Sequence, residues 1–292
     1  MAINEIEAKL RMVMDKLYNG EAVEYDDAWV EAAGEMFKEG LRKQLNRENG
    51  PFRLRMSNIG RPVCQLQREK AGVEPIRMPY NHIMRMMYGD AVECIVELLL
   101  RIAGVNITGG KSQAEYKIAG TVIKGENDIE IDGATWDTKS ASPWAYINKW
   151  SEGYSALSKS DDFGYIPQLV GYSKGTPTRL GGWIVANKVS GELSVVPATP
   201  SDKDLKQIEE NISATITLVN SDKEFIRCFE PVTEYFRKVP TGNKRLHTTC
   251  TFCSYRNSCW PDAQYKPQAQ SKAANPPYYW YTKYTDSESP TK

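Results

Sequence analysis

Residues 125–142, which read GENDIEIDGATWDTKSAS, decide how the middle of this chain folds. The pair Asp132-Gly133 favours a two-residue hairpin turn, because both turn positions need a positive φ that Asp and Gly tolerate. A turn centred there predicts four opposed pairs in the flanking strands: Ile131 with Ala134, Glu130 with Thr135, Ile129 with Trp136, and Asp128 with Asp137. Side chains alternate between the two faces of a strand, so the Ile, Ala and Trp side chains are expected on a core face.

The other face of the hairpin carries an acidic pair, Asp128 opposite Asp137, with Lys139 two residues further on. Directly opposed residues have Cβ atoms about 4.5–5.5 Å apart, and like charges so placed destabilise a sheet. A bound Mg²⁺ or Mn²⁺ ion would remove that cost, because hard cations prefer carboxylate oxygens. The alternative is a solvated hairpin in which Lys139 screens the two carboxylates.

The composition is that of an ordinary globular protein. Of the 292 residues, 41% are hydrophobic and 25% are charged, with 37 basic and 37 acidic side chains, so the net charge does not indicate a nucleic-acid partner. No apolar run is long enough to span a bilayer, and residues 1–17 mix charges in a way that a secretory signal does not. A cytoplasmic protein without a membrane partner is expected, and there cysteines are thiols or metal ligands rather than disulfides.

Hydrophobic periodicity and turn signals predict a mixed α/β core flanked by helices. Helices are expected at residues 3–18, 26–45, 81–102, 162–173, 201–219 and 222–238, with helix or loop at 144–160. Two strands are expected around the turn signal Ser190-Gly191, at residues 182–189 and 192–197. Residues 46–79 are expected to be irregular, and the Pro-, Gln- and Ser-rich segment from Gln264 to be a mobile tail. The apolar stripe from Ile3 to Leu17 offers a subunit contact for a homo-oligomer.

Three closely spaced cysteines, Cys250-x2-Cys253-x5-Cys259, indicate a metal site that needs a fourth ligand. His247 would complete a zinc site with three thiolates and one imidazole from a single local segment. Cys64 would complete the four thiolates that an iron–sulfur cluster favours, and would tie distant parts of the chain together. Two other cysteines lie in apolar helical patterns and are expected as small buried residues: Cys94 and Cys228.

Taken together, these motifs resemble a known family. Asp128 followed by Asp137-Thr138-Lys139 resembles the paired motifs of the PD-(D/E)XK nucleases, and Gln168–Tyr172 (QLVGY) is similar to the QxxxY motif of their RecB-type branch. A distant cysteine followed by C-x2-C-x5-C resembles the iron–sulfur members of that branch, which include small exonucleases of CRISPR adaptation systems and phage-encoded relatives. The resemblance spans residues 57 to 260.

The chain departs from the family pattern at two positions. Asn127 stands where many members have a proline before the first aspartate. RecB-type members often carry a histidine four residues after a glycine on the preceding helix. Here Gly89 is followed at that distance by Glu93, as in the phage recombination exonucleases.

The resemblance implies a restriction-endonuclease-like mixed sheet core over residues 56–262, a helical N-terminal region over 1–55 and a tail over 263–292. It implies a structural 4Fe-4S cluster that forms a C-terminal clamp, held by Cys64, Cys250, Cys253 and Cys259. It also implies that Mg²⁺ or Mn²⁺ is held by Glu93, Asp128, Asp137 and the carbonyl of Thr138. Lys139 would orient the attacking water or stabilise the phosphate charge, with Gln168 and Tyr172 beside it.

The implied activity is that of a Mg²⁺- or Mn²⁺-dependent deoxyribonuclease, an exonuclease with endonuclease cutting as a further activity. Its implied partners are DNA and a protein of recombination or CRISPR adaptation, in the host cytoplasm if a phage encodes the chain. The alternatives are a non-catalytic DNA-binding module stapled by zinc or an iron–sulfur cluster, and a structural zinc protein. Four aromatic residues after the hairpin are expected either to stack on bases of single-stranded DNA or to pack in the core: Trp144, Tyr146, Trp150 and Tyr154.

Overall fold

The computed structural model describes residues 4–47, 50–221 and 223–285. Contacts divide the chain into two units: Met1–Gly60 with Pro79–Ile216, and Arg61–Met78 with Thr217–Lys292. Within the described ranges, no helix is both long enough and apolar enough to cross a bilayer.

The chain is a mixed α/β protein with a helical N-terminus. Its helices are α1 (Glu5–Tyr18), α2 (Asp27–Leu45), α3 (Val63–Lys70), α4 (Asn81–Ile102), α5 (Pro143–Ala145), α6 (Tyr154–Lys159), α7 (Tyr165–Gly175), α8 (Asp202–Asn220), α9 (Thr248–Thr251) and α10 (Arg256–Cys259), with a π-helical turn at Tyr146–Trp150. Its strands are β1 (Ile107–Gly110), β2 (Gln113–Ile118), β3 (Thr121–Glu126), β4 (Ile129–Ile131), β5 (Ala134–Ala141), β6 (Arg179–Asn187), β7 (Leu193–Pro197), β8 (Val232–Phe236), β9 (Val239–Arg245), β10 (Gln264–Pro267) and β11 (Tyr278–Lys283). The helices predicted within residues 1–45, 81–102, 162–173 and 201–219 are confirmed to within a few residues, as are strands β6 and β7.

Both N-terminal helices are capped by side chains, and α1 is packed against the rest of the first unit. The side chains of Asn4 and Asp26 accept hydrogen bonds from backbone N–H groups of the first turns, which satisfies donors that a helix start leaves free. Leu10 and Val13 of α1 are buried, so much of the stripe proposed for a subunit contact packs inside the first unit. Ile3 lies outside the described residues.

Three of the four opposed pairs predicted for the hairpin are confirmed. Strands β4 and β5 pair antiparallel with Ile129 opposite Trp136, Glu130 opposite Thr135 and Ile131 opposite Ala134. They belong to a five-stranded sheet of order β1-β4-β5-β6-β7, in which β5 and β6 are parallel and the other neighbours are antiparallel. The hairpin therefore places β5 at the centre of the sheet.

Strand β5 is buried on both faces, so the polar face of the hairpin is not open to solvent. Ile129 and Trp136 pack on the predicted core face with Leu10 and with residues of α4. The opposite face is also buried: Thr135 is fully buried, and its hydroxyl lies 2.5 Å from the hydroxyl of Thr178. Polar side chains on this face therefore need partners within the protein, because water does not reach them.

The second unit corrects three predictions. Residues 46–79 were expected to be irregular, but Val63–Lys70 forms helix α3. The helix expected at 222–238 is wrong: residues 223–231 are irregular and Val232–Phe236 is strand β8, while residue 222 lies outside the description. The segment from Gln264, expected to be a mobile tail, instead supplies β10 and β11 to a four-stranded sheet of order β10-β11-β9-β8. Residues 286–292 lie outside the description. Aromatic residues favour strands, and the four consecutive aromatic residues at the start of β11 (YYWYTK) outweigh the surrounding Pro and Ser.

Gly182 of β6 is expected to be intolerant of a side chain. A Cβ at this position would lie 2.8 Å from the Cα of Pro197, and closer still to the carbonyl oxygen of Val196 on the neighbouring strand. Gly182→Ala should therefore lower the free energy of unfolding by about 3 kcal/mol, as overpacking against backbone does. Gly34→Ala in α2 is the matched control, since nothing lies within 4 Å of the added Cβ there; it should stabilise by about 0.5–1 kcal/mol. Urea unfolding of both variants measures the difference, and equal midpoints would contradict the packing argument.

Candidate functional site

The site is built on β5, the central strand that the hairpin creates. Asp137 is 2% exposed, and its Oδ2 lies 2.6 Å from Nζ of Lys139 on the same face of the strand. This oxygen makes an ion pair but no well-aligned hydrogen bond. A carboxylate so deeply buried is uncommon unless it is paired or binds a metal.

Asp128 lies one residue beyond the end of the β4–β5 ladder. The prediction that it pairs with Asp137 across the ladder is therefore wrong. Its carboxylate nevertheless reaches β5, where Oδ2 accepts a hydrogen bond of 2.9 Å from the backbone N–H of Thr138. The contact brings the Asp128 side chain to the part of β5 that carries Asp137, and, after burial, the charge of Asp128 helps to raise the pKa of Asp137. The two acidic groups of the motif therefore meet at one point of the strand.

The charges at this point are not balanced. Burial, opposed by Lys139 and reinforced by Asp128, raises the pKa of Asp137 to about 7. Burial alone would lower the pKa of Lys139, but the two carboxylates outweigh it and raise that pKa above its usual range. Lys139 therefore stays protonated, and its single positive charge faces the two carboxyl groups of Asp128 and Asp137. Two carboxylates are the type of oxygen donor that a hard divalent cation prefers.

Helix α7 presents the predicted Gln168 and Tyr172 to Lys139. Gln168 Oε1 accepts from Lys139 Nζ at 3.4 Å, and Gln168 Nε2 donates to the Tyr172 hydroxyl at 3.3 Å. Burial raises the pKa of Tyr172 to about 12, so its hydroxyl stays protonated. Sequence reasoning did not single out Tyr165, whose ring centroid lies 5.5 Å from Lys139 Nζ. Its position three residues before Gln168 on the same helix face was the available signal.

Glu93 is half-buried on α4, and the structure pairs it with a residue that was not predicted. Its carboxylate forms an ion pair with Lys111, in the turn between β1 and β2. The backbone N–H of Lys111 in turn donates to the carbonyl of Asn127, at 3.0 Å. Glu93 therefore approaches the Asp128 side of the site through Lys111, and its predicted role as a metal ligand stays a prediction.

Asn127, which stands where the family has proline, has a clear structural role. It is fully buried. Its Oδ1 accepts 2.9 Å hydrogen bonds from both the N–H and the hydroxyl of Ser112, and its Nδ2 donates to Glu130. This network fixes the backbone immediately before Asp128, which a proline would achieve by restricting φ.

The second unit gathers the cysteines. Cys64, Cys250, Cys253 and Cys259 line one pocket, whose walls include Phe225, Phe229 and Trp260. Burial raises the pKa of Cys250 to about 11 and also raises that of Cys253. A cation bound by these sulfurs would supply the positive charge that thiolates require. Four thiols facing one partly apolar pocket form a donor set that fits an iron–sulfur cluster.

Cys228 is also part of this pocket, contrary to the prediction of a small buried residue in a helix. It is exposed and lies in the irregular segment 223–231. Its Sγ accepts a 3.2 Å hydrogen bond from the backbone N–H of Cys64, and the thiol–thiol contact lowers the pKa of Cys228 to about 6. Cys94, by contrast, is buried as predicted.

His247, the alternative fourth ligand, is engaged elsewhere. Its ring stacks on Phe229 with centroids 4.5 Å apart, and its Nδ1 accepts from the N–H of Thr249 at 3.2 Å. It is not among the residues that line the cysteine pocket. Across the described residues, no three His, Cys, Asp or Glu side chains form a ready-made site for a single metal ion.

The aromatic residues after the hairpin mainly pack. Tyr146 and Trp150 are buried, with Trp150 5.8 Å from Trp183 between ring centroids. Tyr154 is half-buried and stacks on Trp183 at 6.4 Å. Trp144 is 65% exposed, so among the four it alone presents its ring to solvent.

Comparisons with known proteins give little further information. No protein-family profile matches the sequence, and no curated protein matches it. Among solved structures, the crystal structure of SSO0001 is similar at 16% sequence identity, covering 77% of this chain and 94% of the other, with a TM-score of 0.38. A likeness at that level carries no argument about fold or function.

Proposed function

We propose that the chain is a Mg²⁺- or Mn²⁺-dependent deoxyribonuclease of PD-(D/E)XK type, with a restriction-endonuclease-like core and a 4Fe-4S cluster on its cysteines. The observation that carries the proposal is the buried group on β5. Asp137 touches Lys139 at 2.6 Å, Asp128 is tied to Thr138 at 2.9 Å, and Gln168 completes the contact to α7. A merely structural ion pair needs one carboxylate, whereas this group has two.

Each residue has a definite task in that reaction. Asp128 and Asp137, with Glu93 and the Thr138 carbonyl, would hold the divalent cations, which when bound polarise the scissile phosphate and lower the pKa of a water. Lys139 would place its ammonium group against the phosphate or the attacking water. Gln168 would keep Lys139 on the reacting side of the strand by accepting a hydrogen bond from its ammonium group. Tyr172 would hold the Gln168 amide in place by accepting a hydrogen bond from it.

The cysteine pocket supports a structural role for the cluster. Cys64 comes from the short piece Arg61–Met78 of the second unit, whereas Cys250, Cys253 and Cys259 come from its long piece Thr217–Lys292. A cross-link between positions so far apart lowers the conformational entropy of the unfolded chain. By analogy with a disulfide, this stabilises the folded state by roughly 4–5 kcal/mol. DNA processing or recombination linked to phage or CRISPR systems is the setting that this combination favours.

The test is shortening of end-labelled DNA, single-stranded and double-stranded, by anaerobically purified protein. Shortening that requires Mg²⁺ or Mn²⁺ and stops on addition of EDTA is expected. DNA binding without shortening would favour the non-catalytic DNA-binding module instead. Neither binding nor shortening would leave the structural zinc protein as the better account.

Gln168→Ala is expected to slow DNA cleavage by about 10–100-fold, as loss of an outer partner of a metal site does. The variant removes the acceptor 3.4 Å from Lys139 Nζ and leaves Tyr172 without its partner. Gln207→Ala on the exposed face of α8 is the matched control and should keep full activity. Single-turnover rates at saturating Mg²⁺ measure the effect. Equal rates for the two variants would remove Gln168 from the site.

A further inference from the structure

The segment that carries Cys228 is fastened to the cluster pocket on both sides. Gln67 of α3 donates to the carbonyl of Glu224 at 3.4 Å and accepts from the N–H of Ile226 at 3.2 Å. One residue further on, Arg227 donates to the carbonyl of Cys259 at 2.6 Å and lies 4.2 Å over the ring of Trp260. Cys228 follows directly, so its position at the pocket is fixed by anchors on α3 and α10.

Cys228 also occupies a definite chemical position there. Helix α3 has no side-chain cap from its N-cap residue, Pro62. The Cys228 sulfur serves instead, by accepting from the N–H of Cys64 in the first turn. Cys228 thus places a fifth sulfur donor at the pocket, with its Sγ 3.2 Å from the backbone nitrogen of the predicted ligand Cys64.

We infer that the pocket holds five thiol donors for the four positions of the cluster, and that Cys228 replaces Cys64 as a ligand when Cys64 dissociates or is absent. The exchange breaks one iron–sulfur bond to Cys64, forms one to Cys228, and moves the thiol proton from Cys228 to Cys64. No oxidation state changes. This inference rests on the proposed cluster, and it explains why a fifth, exposed cysteine faces the pocket.

The test compares iron and sulfide content after anaerobic reconstitution. Wild type, Cys228→Ser and Cys64→Ala are expected to retain at least half of a full cluster, while Cys64→Ala/Cys228→Ser retains less than a tenth, because only three thiolates remain. Alkylation by iodoacetamide gives a second readout. Cys228 should react in the loaded wild type and become protected in loaded Cys64→Ala, a change that a merely structural cysteine would not show.

Cys64→Ala also removes a half-buried side chain, so a variant that leaves Cys64 in place completes the test. Loaded Cys228→Ser should lose iron to a chelator several-fold faster than wild type, since no fifth thiol recaptures an iron that Cys64 releases. Equal rates, or a folded Cys64→Ala as empty of iron as the double variant, would overturn the inference. Wild type that takes up no iron would overturn the proposed cluster itself, which is a distinguishable outcome.

Discussion

Asp137→Asn and Lys139→Met are each expected to lower metal-dependent DNA cleavage by about 10³-fold, the scale on which loss of one preorganised charged group acts. Asn keeps the shape of Asp137 but removes the charge that a divalent cation needs. Met keeps most of the length of Lys139 but removes its ammonium group. The initial rate of shortening of end-labelled DNA, at equal concentrations of folded protein, measures both effects.

The two single variants are also expected to destabilise the fold. A double variant separates loss of activity caused by lower stability from loss of activity caused by the missing charged groups. Because Asp137 is 2% exposed, Lys139→Met leaves a buried carboxylate without its cation, which costs about 3–5 kcal/mol. Asp137→Asn should cost less, because the Lys139 ammonium group still interacts with Asp128. Removing both charges in Asp137→Asn/Lys139→Met should restore much of that stability, because replacing a buried ion pair entirely is often neutral. Activity should not return. Recovery of cleavage together with stability would assign the pair a structural role alone.

The control for these variants is Glu126→Gln. Glu126 is exposed on β3, two residues before Asp128, so the substitution changes the charge near the motif without touching β5. It should retain full activity and stability. Loss of activity in this control would mean that net charge near the hairpin, rather than the buried group, controls cleavage.

The part of the fold that could be predicted is the part governed by local geometry. Asp132-Gly133 fixes the turn, the turn fixes the register, and the register put Ile129 and Trp136 on a common core face. The register does not predict whether the polar face of the hairpin, which carries Asp137 and Lys139, is buried or open to solvent. Strand β5 pairs with β6, about 45 positions further along the chain, and α7 packs on β5. These long-range contacts bury a face for which the local sequence left both a metal site and a solvated hairpin open.

The wrong prediction that Cys228 lies buried in a helix also results from contacts that local sequence does not show. Cys228 stands in FIRCFE, where apolar residues at three- and four-residue spacing imitate a helix. In the structure the same side chains serve the pocket instead, with Phe225 under Arg68 at 3.8 Å. Tertiary contacts override a local pattern when a segment borders a site. Spacing alone could find the triplet at Cys250, but not a thiol that only the folded second unit brings to it.

Loss of the proposed cluster is expected to destabilise the second unit while the first unit stays folded. Cys253→Ser removes one thiolate from the triplet, and a serine hydroxyl is a poor substitute for a cysteine thiolate as a ligand of iron. The variant should therefore be isolated with little iron, and the free energy of unfolding of the second unit should fall by about 4 kcal/mol. Hydrogen exchange measures this for each strand: amides of β8, β9 and β11 should lose protection, while those of β5 and β6 keep it.

Cys94→Ala is the control for this experiment, because Cys94 is buried in α4 of the first unit, outside the cysteine pocket. It should bind iron like the wild type and leave the protection of β8, β9 and β11 unchanged. The buried network of Glu234 with Asn243 at 3.0 Å and Thr241 at 2.8 Å lies within the β8–β9 pair. If that network alone holds the sheet, iron-free Cys253→Ser will exchange no faster than Cys94→Ala, and the cluster cannot then be the clamp that stabilises this unit.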